Sequence, residues 1–512
     1  MLNLTPILKL HAKRRTAQLR AQDYAETQKE QLAKLIFAAQ GTKFGQDHMF
    51  SKISSISEYQ SVVPLRYYEN FWEDYWKADF PRLINCTWPG LIKYFPVTSG
   101  TTSGATKYIP FSREMQASNQ KAGVDLLVHH LNNQPHSKIF GGRSFMLGGS
   151  TDLVEAAPGI FTGDLSGIAV KTLPWWARQR YFPPTELALL KDWEEKIEKL
   201  ATASLDRNIT LLSGVPSWLL IFCKKLFELV PGAEGKLHKV YPNLEMLVHG
   251  GVSFAPYYAQ FCKLLEGSRA EMREVYPASE GFIAIADRRY AEGLRLNLDH
   301  GIFYEFVPLT ELTSPHPTRH WIENIEKGVS YAIVITTCAG LWSYVIGDTV
   351  KFIDLDPPRI LVTGRTSYCL SAFGEHLIAE EIEDAVAKAA AAIKATVTDY
   401  SVAPVFPQNP KELGGHLYIV EFVGELPSSE ALANFCRVLD ERLCERNEDY
   451  AAHRAGGFGL KAPQVIPAKA GTFAAWMKHR GKLGGQNKVP RIITGQDLFE
   501  DLKSFAQKEM EA

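Results

Sequence analysis

The sequence predicts an α/β protein: a large N-terminal domain of α/β sheets plus a β-rich subdomain, with a smaller α+β C-terminal domain. Three features predict it. Short apolar runs end in glycine turns at Arg143–Leu147, Ile209–Leu212 and Leu244–Val248, and helical text follows the last two; repeated strand, glycine turn and helix argue for parallel strands. From Leu294 the text changes to closely spaced strand-like runs, which suit antiparallel pairing. After Gly364-Arg365 it changes again, to an Ala- and Glu-rich helix followed by alternating strands and helices. Residues 1–365 and 366–512 are therefore expected to be separate domains.

The elements follow in order. Residues 1–22 carry Lys9, Lys13, Arg14, Arg15 and Arg20 and no acid. A transit peptide or a membrane-surface helix can look like this, but the pattern continues through Asp23, Glu26 and Glu30 to Leu32, Leu35 and Ile36. It reads as an ordinary amphipathic helix reaching about Ala39. A second helical patch covers Tyr67–Lys77, and Leu91–Val97 reads as a strand. Ser112 is placed to cap a helix carrying Leu126, Leu127 and Leu131. Pro216 and Pro256 open helices to Leu229 and Leu265, since proline suits a first helical turn. Leu294–Leu298 and Ile302–Val307 flank Asp299-His300-Gly301, a hairpin signal. Strand-like runs follow at Tyr331–Thr337, Trp342–Val345, Val350–Asp354 and Ile360–Val362. Beyond Arg365 come a helix at Leu377–Ile393, strands at Thr396–Val405 and His416–Val423, and a helix capped by Ser428 that reaches Asn447. Gln464–Ala468 is extended and Gly471–Lys482 helical.

Composition narrows the class. The chain has 512 residues, 46% of them hydrophobic, enough for more than one core. A net charge of −1 gives no bulk attraction to nucleic acid or to anionic membranes, so neither is an expected partner. Seven cysteines without a C-x-x-C pair suggest reduced thiols in a cytoplasmic protein rather than a disulfide frame or zinc site. No apolar run approaches the ~18 residues of a membrane span. A monomer is the favoured state. His249, the lone histidine beside Gly250-Gly251, is read as structural rather than as a metal ligand.

One stretch organises the chemistry. Val97–Pro110 reads VTSGTTSGATKYIP. Ser99, Thr101 and Thr102 offer hydroxyl donors, Gly100 and Gly104 let the backbone approach a ligand closely, and Lys107 adds a positive charge. A polyphosphate needs this chemistry. The spacing is not that of a Walker A loop, where four residues separate the glycines and lysine directly follows the second. Tyr276 offers a flat face to a purine, and Glu280 offers a hard oxygen ligand for Mg2+. Asp348, after Gly347, can accept hydrogen bonds from ribose hydroxyls. Each segment alone is also compatible with an ordinary turn.

Their order resembles the adenylate-forming superfamily of acyl-CoA synthetases, luciferases and peptide-synthetase adenylation domains. Within it the sequence is most similar to the auxin-responsive Gretchen Hagen family of acyl acid amido synthetases. That family's Ser/Thr loop, Tyr-x-x-Ser-Glu, Tyr-Arg-x-Gly-Asp and Gln-x-Lys-x-Pro-Arg segments look like Thr98–Lys107, Tyr276–Glu280, Tyr344–Asp348 and Gln486–Arg491. Thr42–Gly45, Pro64-Leu65 and Trp88–Gly90 are similar too, so the likeness covers nearly the whole chain. Val345 stands where the family usually has Arg, and Ser371–His376 looks more like the wider superfamily's hinge. Both departures weaken any carry-over of plant substrate preference.

The resemblance implies an adenylate-forming fold, ATP and Mg2+ as cofactors, and two half-reactions. A carboxylate attacks the α-phosphorus of ATP, and an amine, commonly an amino acid, then takes the acyl group. It implies that Ser99, Gly100, Thr101, Thr102, Gly104 and Lys107 hold the phosphates. Gly250, Gly251, Val252, Tyr276, Asp348 and Arg365 would hold the adenosine, and Glu280 the Mg2+. Lys488 would be the catalytic lysine, brought in by the small domain. Trp218 and Ser253 are candidates for the acyl pocket. Two alternatives stand: transfer to a CoA or carrier-protein thiol, and a non-enzymatic nucleotide sensor.

Overall fold

A computed structural model describes residues 3–99, 106–148, 153–188, 190, 193–251, 254, 257–366, 370, 377–405, 413–447, 450–451, 454, 460–482, 489–493 and 495–511. The chain forms two compact units: residues 1–346 with 350–362, and residues 347–349 with 363–512.

The first unit opens with two helices, α1 (Thr5–Arg20) and α2 (Tyr24–Ala39), where the sequence suggests one. Asp23 makes the break: its carboxylate accepts from Glu26 N at 2.9 Å and starts a new helix. Leu8 and Ala12 of α1 pack on α3 (Arg113–Asn133) around Leu126, Leu127 and Leu131. Ser112 caps α3, accepting from Met115 N.

The strands before residue 286 are β1 (Tyr94–Ser99), β2 (Thr106–Tyr108), β3 (Arg143–Leu147), β4 (Leu153–Ala157), β5 (Ile160–Gly163), β6 (Tyr181–Phe182), β7 (Ile209–Gly214), β8 (Met246–Gly250), β9 (Glu271–Ala278) and β10 (Gly281–Ile285). After them come β11 (Leu294–Leu296), β12 (Ile302–Pro308), β13 (Ser330–Thr337), β14 (Tyr344–Leu355) and β15 (Pro358–Arg365). A four-stranded sheet has the order β2-β1-β5-β4. An eleven-stranded sheet has the order β12-β13-β14-β15-β11-β10-β9-β8-β7-β3-β6. Its β6-β3-β7-β8-β9 half is parallel, and from β9 to β11 its pairing is antiparallel. The expected α/β portion and β-rich portion are thus halves of one hydrogen-bonded sheet.

The hairpin expected at Asp299-His300-Gly301 is not formed. β11 pairs with β10 and β15, while β12 lies at the far edge beside β13. The segment makes a crossover because its polar groups are held elsewhere. Arg15 binds Asp299 at 2.7 Å and Asp125 at 2.7 Å, and Lys121 reaches Asp299 at 2.9 Å. His300 lies 3.2 Å from Asp125. Against the cost of burial, His300 and Arg15 hold the Asp125 carboxyl down at about 2.

The second unit holds a three-stranded sheet of β16 (Val397–Val405), β17 (Gly415–Phe422) and β18 (Gln464–Ala468), antiparallel then parallel. Tyr418, Val420 and Phe422 face a core shared with the helices Ala379–Ala392 and Ser429–Arg446. Leu417 and Ile419 face Trp476, Leu502 and Ala506 on the other side. The central strand is buried on both faces, as its unbroken apolar text requires. Among the described residues no helix is long and apolar enough to cross a membrane.

Candidate nucleotide and acyl site

β1 and β2 pair antiparallel in register Thr98↔Lys107 and Ser99↔Thr106, with the two described ends of the Ser/Thr/Gly stretch side by side. Gly100, Thr101, Thr102 and Gly104 lie outside the described residues. Lys107 is described: its Nζ lies 3.4 Å from Glu69 and 5.3 Å from the centre of the Tyr68 ring. Tyr68 is itself fixed, its hydroxyl accepting from Tyr108 N at 3.0 Å.

Gly250 and Gly251 sit where β8 ends. A Cβ on Gly250 would meet the Val275 carbonyl oxygen at 2.2 Å, so only glycine lets β8 lie this close to β9 there. Gly251 has φ +80°, a left-handed conformation that also favours glycine. Gly250 pairs with Val275, the residue before Tyr276. Tyr276 is 7% exposed and belongs to the main core. Two residues on, β9 turns into β10 through Ser279-Glu280, with Ala278 paired to Gly281. Glu280 is half-buried at that turn. A Cβ on Gly281 would lie 3.5 Å from Met115 Cε, so the start of α3 comes up beside this turn. The sheet therefore sets Gly250 beside Val275-Tyr276 where β8 ends, the position at which α/β sheets bind ligands, and Glu280 follows in the next turn. Val252 and Ser253 lie outside the described residues.

Asp348 and Arg365 belong to the second unit. They form an ion pair, Nε to Oδ1 at 3.0 Å. Gly347, at φ +91°, precedes Asp348 within the unbroken strand β14, where the sequence suggests two strands, and Thr366 Oγ1 donates to the Gly347 carbonyl at 3.3 Å. Trp218 lies in the first turn of the helix Pro216–Leu229 and packs against the core around Leu219 and Phe222.

Lys488 lies outside the described residues, but the chain directly after it is held firmly. Arg491 O accepts from Val402 N and Val402 O accepts from Ile493 N, both at 2.8 Å. Ser401 Oγ donates to Pro490 O at 2.7 Å. Arg491 binds Asp399 at 2.5 Å and lies over the Tyr400 ring at 4.4 Å.

Glu274, which the sequence reading missed, lines a small pocket with His249, Met272, Tyr290 and Leu294. His249 stacks on Phe254 at 3.4 Å, and burial pushes it down to about 3, so it is neutral. Glu274 is paired in register with His249, and burial pushes its carboxyl up to about 7. The only sign of it in the sequence is a carboxylate two residues before Tyr276 on a strand that alternates.

Family models match in three consecutive pieces: GH3 family N-terminal domain over residues 15–270, central domain over 296–365 and C-terminal domain over 380–497. The chain belongs to the GH3 family. Among GH3 relatives, an indole-3-acetic acid-amido synthetase of Arabidopsis thaliana, GH3.3, is 24% identical over 345 residues, covering 62% of this chain and 56% of its own. The jasmonoyl–L-amino acid synthetase JAR4 of Nicotiana attenuata is 21% identical, covering 93% and 92%. The match thus spans just over half the length of the first relative and nearly all of the second. A GH3.15 acyl acid amido synthetase structure superposes with TM-score 0.78 at 15% identity, covering 96% of this chain and 94% of that one. A 2-hydroxyisobutyryl-CoA ligase in the postadenylation state follows at 0.58 and 13%, covering 94% and 91%. The fold is the adenylate-forming one.

Proposed function

We propose that this GH3 protein is an ATP-dependent, AMP-forming ligase that activates a small carboxylic acid as its acyl-adenylate and conjugates it to an amine, with an amino acid as the expected acceptor. The observation that supports the reading is the pairing of Gly250 beside Val275-Tyr276 at the carboxyl end of a parallel strand, with Glu280 in the following turn, in a GH3 frame.

In the first half-reaction the carboxylate oxygen bonds to the α-phosphorus of ATP and pyrophosphate leaves. The acid, with a pKa of about 4–5, is already ionised at neutral pH, so no general base is needed. The step requires neutralised charge and in-line placement. The hydroxyls of Ser99, Thr101 and Thr102, the backbone at Gly100 and Gly104, and Lys107 hold the departing phosphates. Lys107 exchanges Glu69 for phosphate as ATP enters. Gly250, Gly251, Val252 and Tyr276 line the adenine, and Asp348, oriented by Arg365, takes the ribose hydroxyls. Glu280, a half-buried carboxylate at the β9–β10 turn, fits a Mg2+ ligand, and the ion bound there would neutralise phosphate charge. Lys488 acts at the α-phosphate and the acyl carboxylate. Residues 1–365 and 366–512 are the expected functional domains, and Trp218 and Ser253 would line the acyl pocket.

In the second half-reaction an amine nitrogen bonds to the acyl carbon and AMP leaves. The test is carboxylate-dependent ATP–pyrophosphate exchange across aromatic, indolic and aliphatic acids, followed by product analysis with a panel of amino acids and with CoA. Amide product supports the proposal, and thioester alone shifts the acceptor to a thiol. Tight ATP binding with no exchange under any acid overturns the enzyme reading in favour of a nucleotide sensor.

A further inference from the structure

The charge of the whole chain hides a local contrast. Net charge is −1, yet residues 1–22 contain five Lys and Arg and no Asp or Glu, so the rest of the chain is net acidic. The structure fixes which way that segment faces. Thr5, Leu8, Ala12, Arg15 and Leu19 form the buried stripe of α1. Leu8 and Ala12 are locked into the core with α3, and Arg15 is held between Asp125 and Asp299. The helix therefore cannot roll to hide its other side.

That other side is apolar at its centre. At about 100° per residue, Leu10 projects nearly opposite the buried stripe, with Pro6, Ile7 and Ala17 around it. Leu10 is 74% exposed and Ile7 68% exposed. Lys9, Lys13, Arg14 and Arg20 are exposed around them. An exposed leucine and isoleucine ringed by cations, with no acid on the helix, is complementary to a surface that offers negative charge and, just beneath it, hydrocarbon.

We propose that the outer face of α1 docks on anionic lipid bilayers, with Ile7 and Leu10 entering the headgroup boundary and Lys9, Lys13, Arg14 and Arg20 contacting lipid phosphates. This reverses the expectation drawn from net charge alone. It is independent of the ligase reading, because α1 contributes no residue to the candidate site.

The test is co-sedimentation of the full chain with vesicles of phosphatidylglycerol and phosphatidylcholine in equal parts, against vesicles of phosphatidylcholine alone. Expected is binding to the anionic vesicles only, lost in roughly 0.5 M salt, where the Debye length falls to a few ångströms. Leu10→Glu and the double variant Lys13→Glu/Arg14→Glu should each weaken binding at least tenfold, with unchanged melting temperature because these side chains are exposed. A fluorophore on Leu10→Cys should shift to the blue on vesicle addition. Wild-type protein left in the supernatant, or binding that Leu10→Glu does not alter, overturns the proposal. Capture of acidic proteins without vesicle binding would assign the face to a protein partner and overturn it as well.

Discussion

Arg491 and Asp399 form a 2.5 Å ion pair across 92 residues of sequence, with the guanidinium stacked over Tyr400. β16 thereby grips the chain three residues past Lys488. Releasing that grip should misplace the lysine without touching the nucleotide. Arg491→Ala is expected to slow pyrophosphate exchange by roughly tenfold to a hundredfold, since small misplacements of a catalytic group cost this much. ATP affinity, read by titration calorimetry, should stay within about twofold, and Arg491→Lys should recover part of the rate. Exchange at the wild-type rate in Arg491→Ala would refute the anchoring role.

With Lys488 in its proposed role at the α-phosphate, Lys488→Ala should remove exchange almost entirely, a loss on the order of a hundredfold or more. ATP binding by calorimetry should survive. An exchange rate near that of wild type would show that another group acts at the α-phosphate.

Asp348→Ala should weaken nucleotide binding about tenfold or more, because ribose hydroxyls lose a charged acceptor and Arg365 loses its partner. Asp348→Asn should lie between the two. Identical dissociation constants for all three proteins would exclude the ribose contact.

Glu274 gives a pH dependence with a definite sign. Burial raises its folded pKa from 4.5 to about 7. The folded state therefore keeps a proton that the unfolded chain has released. The stabilisation is complete below about pH 4.5 and is lost as pH rises through about 7, a change of about 1–3 kcal/mol. Glu274→Gln should flatten this part of the melting-temperature profile and raise the melting temperature at pH 8. Parallel profiles for the two proteins would exclude the assignment.

Arg15→Leu should be among the more damaging changes far from the site. It leaves Asp125 buried and strips Asp299 of one of its cations. A loss of about 3–5 kcal/mol in urea unfolding is expected, whereas adding Asp125→Asn should recover part of it. A loss under about 1 kcal/mol would show that the ion cluster relaxes freely.

How much of this was legible depended on the range of the interaction. Ser112 and Ser428 were readable as caps because a cap acts over three residues, and both do accept from the expected backbone N–H. Glycine turns after apolar runs marked the parallel strands for the same reason. Strand alternation tells which face a residue occupies but not which strand lies beside it, so β11 and β12 looked like a hairpin though three strands separate them. Arg15–Asp299 and Arg491–Asp399 join residues 284 and 92 positions apart. Nothing in a single sequence pairs one charge with another at such range. In the candidate site, the order of motifs carried the family, while Glu274 looked like any polar residue on a half-exposed strand.

The order of the large sheet has a consequence during synthesis. β11 sits between β10 and β15, and the chain reaches β15 only at Pro358–Arg365. A nascent chain that has just emerged through β10 owns a complete parallel half with an open strand edge. Some seventy residues must follow before β15 covers β11. Unpaired edges of this kind template aggregation. Translation stalls or truncations between residues 285 and 358 are therefore the ones expected to need a chaperone, and fragments cut there should precipitate where those ending after 365 stay in solution.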